Sequence, residues 1–309
     1  MTAHHPKVLV VGESVVDVIE NPAGTSAHHP GGSPANVAYG LGLLGQDTTL
    51  LTQLGDDENG DLLRRHLNAG NVTLLNTPTI PRTATSTAVL DRDGGATYHF
   101  DIEWSLAPVQ LPSVPGHIHT GSLATVMSPG AETIHAMLRE YRNKTTISFD
   151  PNVRPALYAS PADAVARTER LVALSDVVKA SNEDLAWLYP DATVEQIVGR
   201  WLNTGATLVV VTMGASGSIV AAHGLRFTLP ATPASVVDTV GAGDSYMAAL
   251  LDTMIQFNLL GAGGRESLRN AGDTQLRQIA ERASMAASIT VSRAGANPPT
   301  AEELSAAMA

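Results

Sequence analysis

Four short apolar runs constrain this chain most: Val8–Val11, closed by Gly12, and residues 146–149, 176–179 and 208–211. Runs of that length fit strands covered on both faces, and the segments between them carry helical period. In residues 161–174, for example, Ala164, Val165, Leu171, Val172 and Leu174 fall on roughly one face, behind a Ser160 suited to cap a helix and a Pro161 suited to its first position. Strands alternating with helices predict an α/β fold: a mainly parallel central sheet with helices on both faces. Two stretches break the rhythm. Residues 13–30 and 86–101 read as extra strands outside the main sheet. In the second, Thr87 and Val89, then Thr97, His99 and Asp101, alternate around the turn Asp93-Gly94-Gly95, as in a hairpin. With no repeat or linker in between, the expectation is a single domain over residues 1–309, the two excursions forming a small β-strand lid.

The 309 residues are 44% hydrophobic and 16% charged, which is globular composition and excludes disordered and collagen-like chains. Lys plus Arg is 19 against 30 for Asp plus Glu, a net charge of −11 that repels nucleic acid and anionic membranes, so neither is an expected partner. The absence of cysteine excludes disulfides, thiolate metal sites and a cysteine nucleophile. The first apolar run is too short for a signal-peptide core or a membrane span, and a cytoplasmic location is expected. Only Lys7, Lys144 and Lys179 are lysines, and none stands in a GxxxxGK[ST] string, so any phosphate chemistry uses another device.

That device is suggested by Asp238-Thr-Val-Gly-Ala-Gly-Asp244, which runs into Met247, Leu250, Leu251, Met254 and Ile255 at helical spacing. Gly241, Ala242 and Gly243 open the helix, where backbone N–H groups can converge on an anion at its positive end, with Asp244 in the first turn as a base. Alone, the string also fits an ordinary loop before a helix with a favourable acid.

DTVGAGD leading into an apolar helix resembles the second signature of the ribokinase-like, or PfkB, carbohydrate kinases, and the fructokinase pattern most closely. The first signature is also present, as Gly31-Gly32-Ser-Pro-Ala-Asn36 through Gly45, in matching order and separation across nearly the whole chain. Gly31 and Gly32 let backbone approach a ligand, and Asn36 offers donors and an acceptor to a hydroxyl-rich substrate. The string Gly40-Leu-Gly-Leu-Leu-Gly45 is a literal GxGxxG, but it falls inside a helix begun near Pro34 and is read as helix packing, not as a dinucleotide fingerprint.

The resemblance implies a ribokinase-like fold and assigns roles by position. Asp244 would deprotonate the sugar hydroxyl, and Asp17, with Glu13 as the alternative, would grip sugar hydroxyls. Thr212, Gly214 and Gly217 resemble the family's nucleotide turn, while residues 283–297 resemble its adenine pocket. Asp238 and the Val240 carbonyl would hold a monovalent cation, K+. Magnesium is expected through water from the 179–185 segment, where the family's Asn-x-x-Glu string is replaced; Ser181 with Asp184, or Asn182 with Glu183, would serve. Arg154, in Phe149-Asp-Pro-Asn-Val-Arg154, would face a phosphate or substrate, or else make a surface ion pair. His119 reads as structural, and His4, His5, His28 and His29 lack metal spacing. The implied activity is transfer of the γ-phosphoryl group of ATP to a primary hydroxyl of a small sugar, fructose first. The alternatives are 2-keto-3-deoxygluconate, ribose or a nucleoside as acceptor, or a non-catalytic sugar-binding regulator. A homodimer through the lid is the implied assembly.

Overall fold

Alternating burial explains the layering. In the computed structural model, which describes residues 7–21, 25–75, 78–90 and 96–309, Val8 and Val10 pack into one apolar cluster while Leu9 and Val11 pack into another on the opposite face of the same strand. His4, His5 and the Asp93-Gly94-Gly95 turn lie outside the described residues. The strands are β1 (Val8–Val11), β2 (Val15–Glu20), β3 (Ser26–Gly31), β4 (Thr48–Leu51), β5 (Val72–Leu75), β6 (Thr85–Leu90), β7 (Ala96–Asp101), β8 (His117–Gly121), β9 (Thr146–Asp150), β10 (Val177–Ser181), β11 (Leu208–Thr212), β12 (Ser218–Ala222) and β13 (Leu225–Leu229). The helices are α1 (Ser33–Leu43), α2 (Glu58–Ala69), α3 (Gly130–Tyr141), α4 (Pro161–Val172), α5 (Asn182–Leu188), α6 (Val194–Thr204), α7 (Ala242–Gln256), α8 (Gly264–Arg269), α9 (Asp273–Val291) and α10 (Ala301–Met308).

Nine strands form the main sheet in the order β13-β12-β11-β10-β9-β8-β1-β4-β5. All neighbours are parallel except the β11-β12 and β12-β13 pairs at one edge, so the expected parallel sheet carries an antiparallel hairpin. The cluster on one face draws on α1, α7 and α9, and that on the other on α3, α4 and α6. From β1 the chain builds outward through β4 and β5, then returns to β8 on the other side of β1. This reversal opens a crevice at the carboxyl ends of β1 and β8, where ligands of such sheets bind.

The two excursions join into one four-stranded sheet, β3-β2-β6-β7, with β2 and β6 parallel and the outer pairs antiparallel. Val16 and Val18 pack one face of β2 on Leu54 and Leu63, leaving Asp17 and Ile19 on the other. The first excursion begins later than expected: Glu13 and Ser14 are buried at the carboxyl end of β1, and the strand starts at Val15. Ser160 caps α4 by accepting from the Asp163 N–H, as its position implied, though the helix ends at Val172. Gly40 and Gly42 lie within α1, where added Cβ atoms would stand 2.9 Å from Ala248 Cβ and 1.9 Å from the Gly70 carbonyl oxygen, so close packing accounts for these glycines.

Candidate active site

At the crevice the start of α7 meets the start of α1. Gly241 precedes α7 with φ 74°, and a Cβ there would stand 2.5 Å from Ala296 Cβ, so conformation and space both call for glycine. Of the three residues expected to offer amides to an anion, Ala242 turns its N–H toward the Thr239 carbonyl at 3.3 Å and helps close the loop. Asp244 is buried in the first turn of α7. Its Oδ1 accepts from Ser33 Oγ at 2.6 Å and its Oδ2 from Asn36 Nδ2 at 2.8 Å. Asn36, expected to meet substrate, is therefore directed at Asp244 itself. Ser33 was not singled out from the sequence, although it stands between Gly32 and Pro34 in the motif. Gly12 lets α1 come this close, since a Cβ there would stand 2.3 Å from Pro34 Cγ.

The second sheet brings its open face to the same crevice. Asp17 lies opposite His29 on β3 and Ser86 on β6, so the three share one row across the sheet. A Cβ on Gly31 would stand 2.3 Å from Asp17 Oδ2, which shows why that position carries no side chain. Gly32 has φ 96°, and a Cβ there would stand 2.7 Å from the Glu13 carbonyl oxygen. Burial raises the Asp17 pKa, opposed by a hydrogen bond from Ser86 and by the charges of His29 and Arg154. Arg154 is exposed; its Nη1 donates to the Asn152 side chain at 2.8 Å and the Val153 carbonyl at 3.1 Å, and among the described residues it makes no ion pair. The surface ion pair is thus not what holds it.

Beneath the α7 loop lies a buried polar floor. Glu13 is not in the Asp17 row: its Oε2 accepts from the Ala124 N–H at 2.9 Å, and burial pushes its carboxyl up to about 7. Lys179 Nζ pairs with Asp150 Oδ2 at 2.7 Å, both side chains almost fully buried. Burial pushes the Asp150 carboxyl up to about 6 against the pull of Lys179, while the carboxylate more than offsets the burial that would lower the ammonium. His119 bonds Ser148 Oγ through Nδ1 at 2.9 Å, as a structural histidine would, yet its Nε2 is buried without a protein partner. The Lys179–Asp150 pair could not be picked out from the sequence, because it depends on β9 and β10 lying side by side in a particular register.

At the carboxyl ends of β10 and β11, Ser181 and Thr212 are register partners. Gly214 and Gly217 follow with φ 52° and 91°. Ser181 and Asp184 form a reciprocal cap of α5, and Asp184 Oδ1 also accepts from the Val153 N–H at 2.8 Å, which ties this turn to the Asp150 loop. Asn182 and Glu183 are exposed. Asp238 bridges the two loops expected around a cation: Oδ1 accepts from the Val240 N–H at 3.0 Å and Oδ2 from the Gly295 N–H at 2.9 Å, bonds that lower its pKa.

The chain as a whole is similar to known proteins. The family model described as pfkB family carbohydrate kinase matches residues 5–303. A fructokinase from Rhizobium leguminosarum bv. trifolii is 34% identical over 284 residues, covering 86% of each chain. A double-mutant fructokinase from Vibrio cholerae O395, solved with fructose, ADP and a potassium ion, superposes with a TM-score of 0.79 at 24% identity, covering 98% of this chain and 97% of that one. A ribokinase from Thermotoga maritima gives a TM-score of 0.74 at 20% identity, covering 98% and 99%. The fold is accordingly ribokinase-like, and the chain belongs to the pfkB family of carbohydrate kinases.

Proposed function

We propose that the protein transfers the γ-phosphoryl group of ATP to a primary hydroxyl of fructose, giving fructose 6-phosphate. The observation that carries this reading is Asp244, held by Ser33 and Asn36 in the first turn of α7, directly after the Gly241–Gly243 loop. The choice of fructose is supported by the 34% identical fructokinase and by the fructose and ADP bound in the Vibrio neighbour.

In this reading the row carrying Asp17 grips sugar hydroxyls from the second sheet, and Arg154 faces it across the crevice. Charged carboxylate–hydroxyl bonds of this kind are short and directional. Asp244 takes the proton of the attacking hydroxyl as the sugar oxygen bonds to the γ-phosphorus and the bond to the bridging oxygen of ADP breaks. The donors from Ser33 and Asn36 fix the carboxylate's orientation. The Gly241–Gly243 backbone faces the charge that gathers on the transferring group. Thr212, Gly214 and Gly217 place backbone beside the nucleotide.

Among the described residues no three His, Asp or Glu side chains gather closely enough to form a metal cluster. That suits magnesium carried by the nucleotide phosphates and reached through water by Asp184 and Glu183, where it would neutralise phosphate charge. Asp238 and the Val240 carbonyl are hard oxygen donors that fit K+, which would steady the loop before α7.

ADP release measured with ATP and, in turn, fructose, 2-keto-3-deoxygluconate, ribose and a nucleoside tests the reading. Fructose is expected to give the highest kcat/KM by at least about tenfold, a margin within reach of a site that pairs substrate hydroxyls with buried polar groups. ADP release that no sugar stimulates would overturn it in favour of a sugar-binding regulator.

A further inference from the structure

Two histidines stand side by side in the sequence, and the strand sends them to opposite faces. His28 faces α2: its Nδ1 meets Asn59 Oδ1 at 2.9 Å and its Nε2 meets Ser26 Oγ at 3.3 Å, which seats β3 on the helix. His29 faces the open side of the smaller sheet, directly opposite Asp17. Its ring is exposed and takes no hydrogen-bond partner among the described residues. An exposed charge pair adds little to stability, so stability does not account for an imidazole beside Asp17.

The surroundings of Asp17 supply a use for it. Residues opposite one another in an antiparallel pair carry their Cβ atoms about 5 Å apart, and the charge of His29 pulls the Asp17 carboxyl down against the effect of burial. Ser86 donates to the same carboxylate from β6, on the far side from His29. Asp17 Oδ2 leans toward Gly31, on the same face of β3 as His29, where any Cβ would stand 2.3 Å away. The carboxylate thus keeps acceptor positions on the side that the imidazole borders. A sugar hydroxyl is both donor and acceptor, so it can give its hydrogen to a carboxylate while accepting from a ring N–H. Neutral or charged, imidazole always offers at least one N–H.

Resting on the sugar-kinase reading above, we propose that His29 is a specificity-determining residue: a single sugar hydroxyl sits between the two side chains, donating to the Asp17 carboxylate and accepting from the His29 ring. Two partners of opposite character fix both the place and the direction of one O–H bond. An ether or carbonyl oxygen at that point could accept but not donate, so the pair selects a free hydroxyl. Removing His29 therefore weakens the reading of one position of the sugar and leaves the others as they are.

The test compares the parent with His29→Ala, with ATP saturating, on fructose and on analogues lacking the C1, C2, C3 or C4 hydroxyl in turn. His29→Ala is expected to raise the fructose KM by about tenfold with kcat within about threefold, the loss expected for one hydrogen bond to substrate. A smaller sheet merely loosened by the substitution would weaken every sugar alike. A lost contact acts on one position. For one analogue the preference for fructose, taken as a ratio of kcat/KM values, should shrink by at least about threefold, while the other ratios hold within about threefold. Ratios that all hold within about threefold would overturn the proposal, as would a fructose KM within about twofold of the parent. If the parent binds fructose without phosphorylating it, the kinase reading falls, and the same ratios taken from Kd by calorimetry decide the role of His29. If it binds no sugar, both fall.

Discussion

Glu13 illustrates how position decides the behaviour of a single side chain. At the end of a fully buried strand its carboxyl is pushed up to about 7, chiefly by burial, from an ordinary value of 4.5. Between those values the folded protein holds a proton that the unfolded chain has released, so stability from this group is greatest below about pH 4.5 and falls as pH rises to about 7. The full span is worth about 3 kcal/mol. Glu13→Gln, which cannot ionise, should accordingly gain about 2.5 kcal/mol, most of that span, on the parent apoprotein in going from pH 5 to pH 8, read from denaturant midpoints at each pH. A difference between the two proteins that stays constant with pH would show that Glu13 does not titrate in this window. The sequence did mark Glu13, as an alternative to Asp17, because both follow the first strand. It could not tell that one would be buried under Ala124 and the other carried onto a second sheet.

Helix α1 shows what is and is not legible at the level of an element. Its glycines were readable as packing positions, because a GxGxxG that begins inside a helix cannot be the turn of a dinucleotide site. The same holds for α7, whose apolar spacing and preceding glycines marked its start. The strands β1, β9, β10 and β11 were visible as apolar runs. By contrast, β8 is the polar sequence HIHTG, and its buried His117 is paid for by Thr146 and Ser148 on the neighbouring strand, a compensation that only pairing reveals. The contact between Lys179 and Asp150 was hidden for the same reason. Gly→Ala in an unconstrained helix stabilises by up to about 1 kcal/mol. At Gly42 the new Cβ would stand 1.9 Å from the Gly70 carbonyl oxygen, which is backbone and cannot swing away. Gly42→Ala should therefore destabilise by about 1–3 kcal/mol, measured by urea unfolding. A stabilised variant would mean that α1 does not sit so close to the turn after α2.

For the whole molecule the question is how two sheets and two helices from opposite ends of the chain act as one site. Asp17 stands on the smaller sheet and Asp244 on a helix covering the larger, so binding a sugar between them should draw the sheets together and exclude water. Hydrogen exchange tests this: with fructose bound, β2 and β6 should gain protection while β11 changes little. Fructose binding without any gain in β2 or β6 would show that the smaller sheet is fixed scaffold. In the proposed reaction this assembly holds Asp244 as the base. Its carboxylate receives Ser33 and Asn36 from α1, more than 200 residues away in sequence, so fold and chemistry meet at one side chain. The most direct measurement is steady-state phosphorylation of fructose by the parent and by Asp244→Asn, with ATP and fructose saturating. The expected kcat is lower by about 10² to 10⁴ with a fructose KM within about threefold, because the proton acceptor is lost. The amide also disturbs one of the two bonds from Ser33 and Asn36 and costs about 1 kcal/mol of stability. A variant that keeps more than about half of the parent kcat would contradict it.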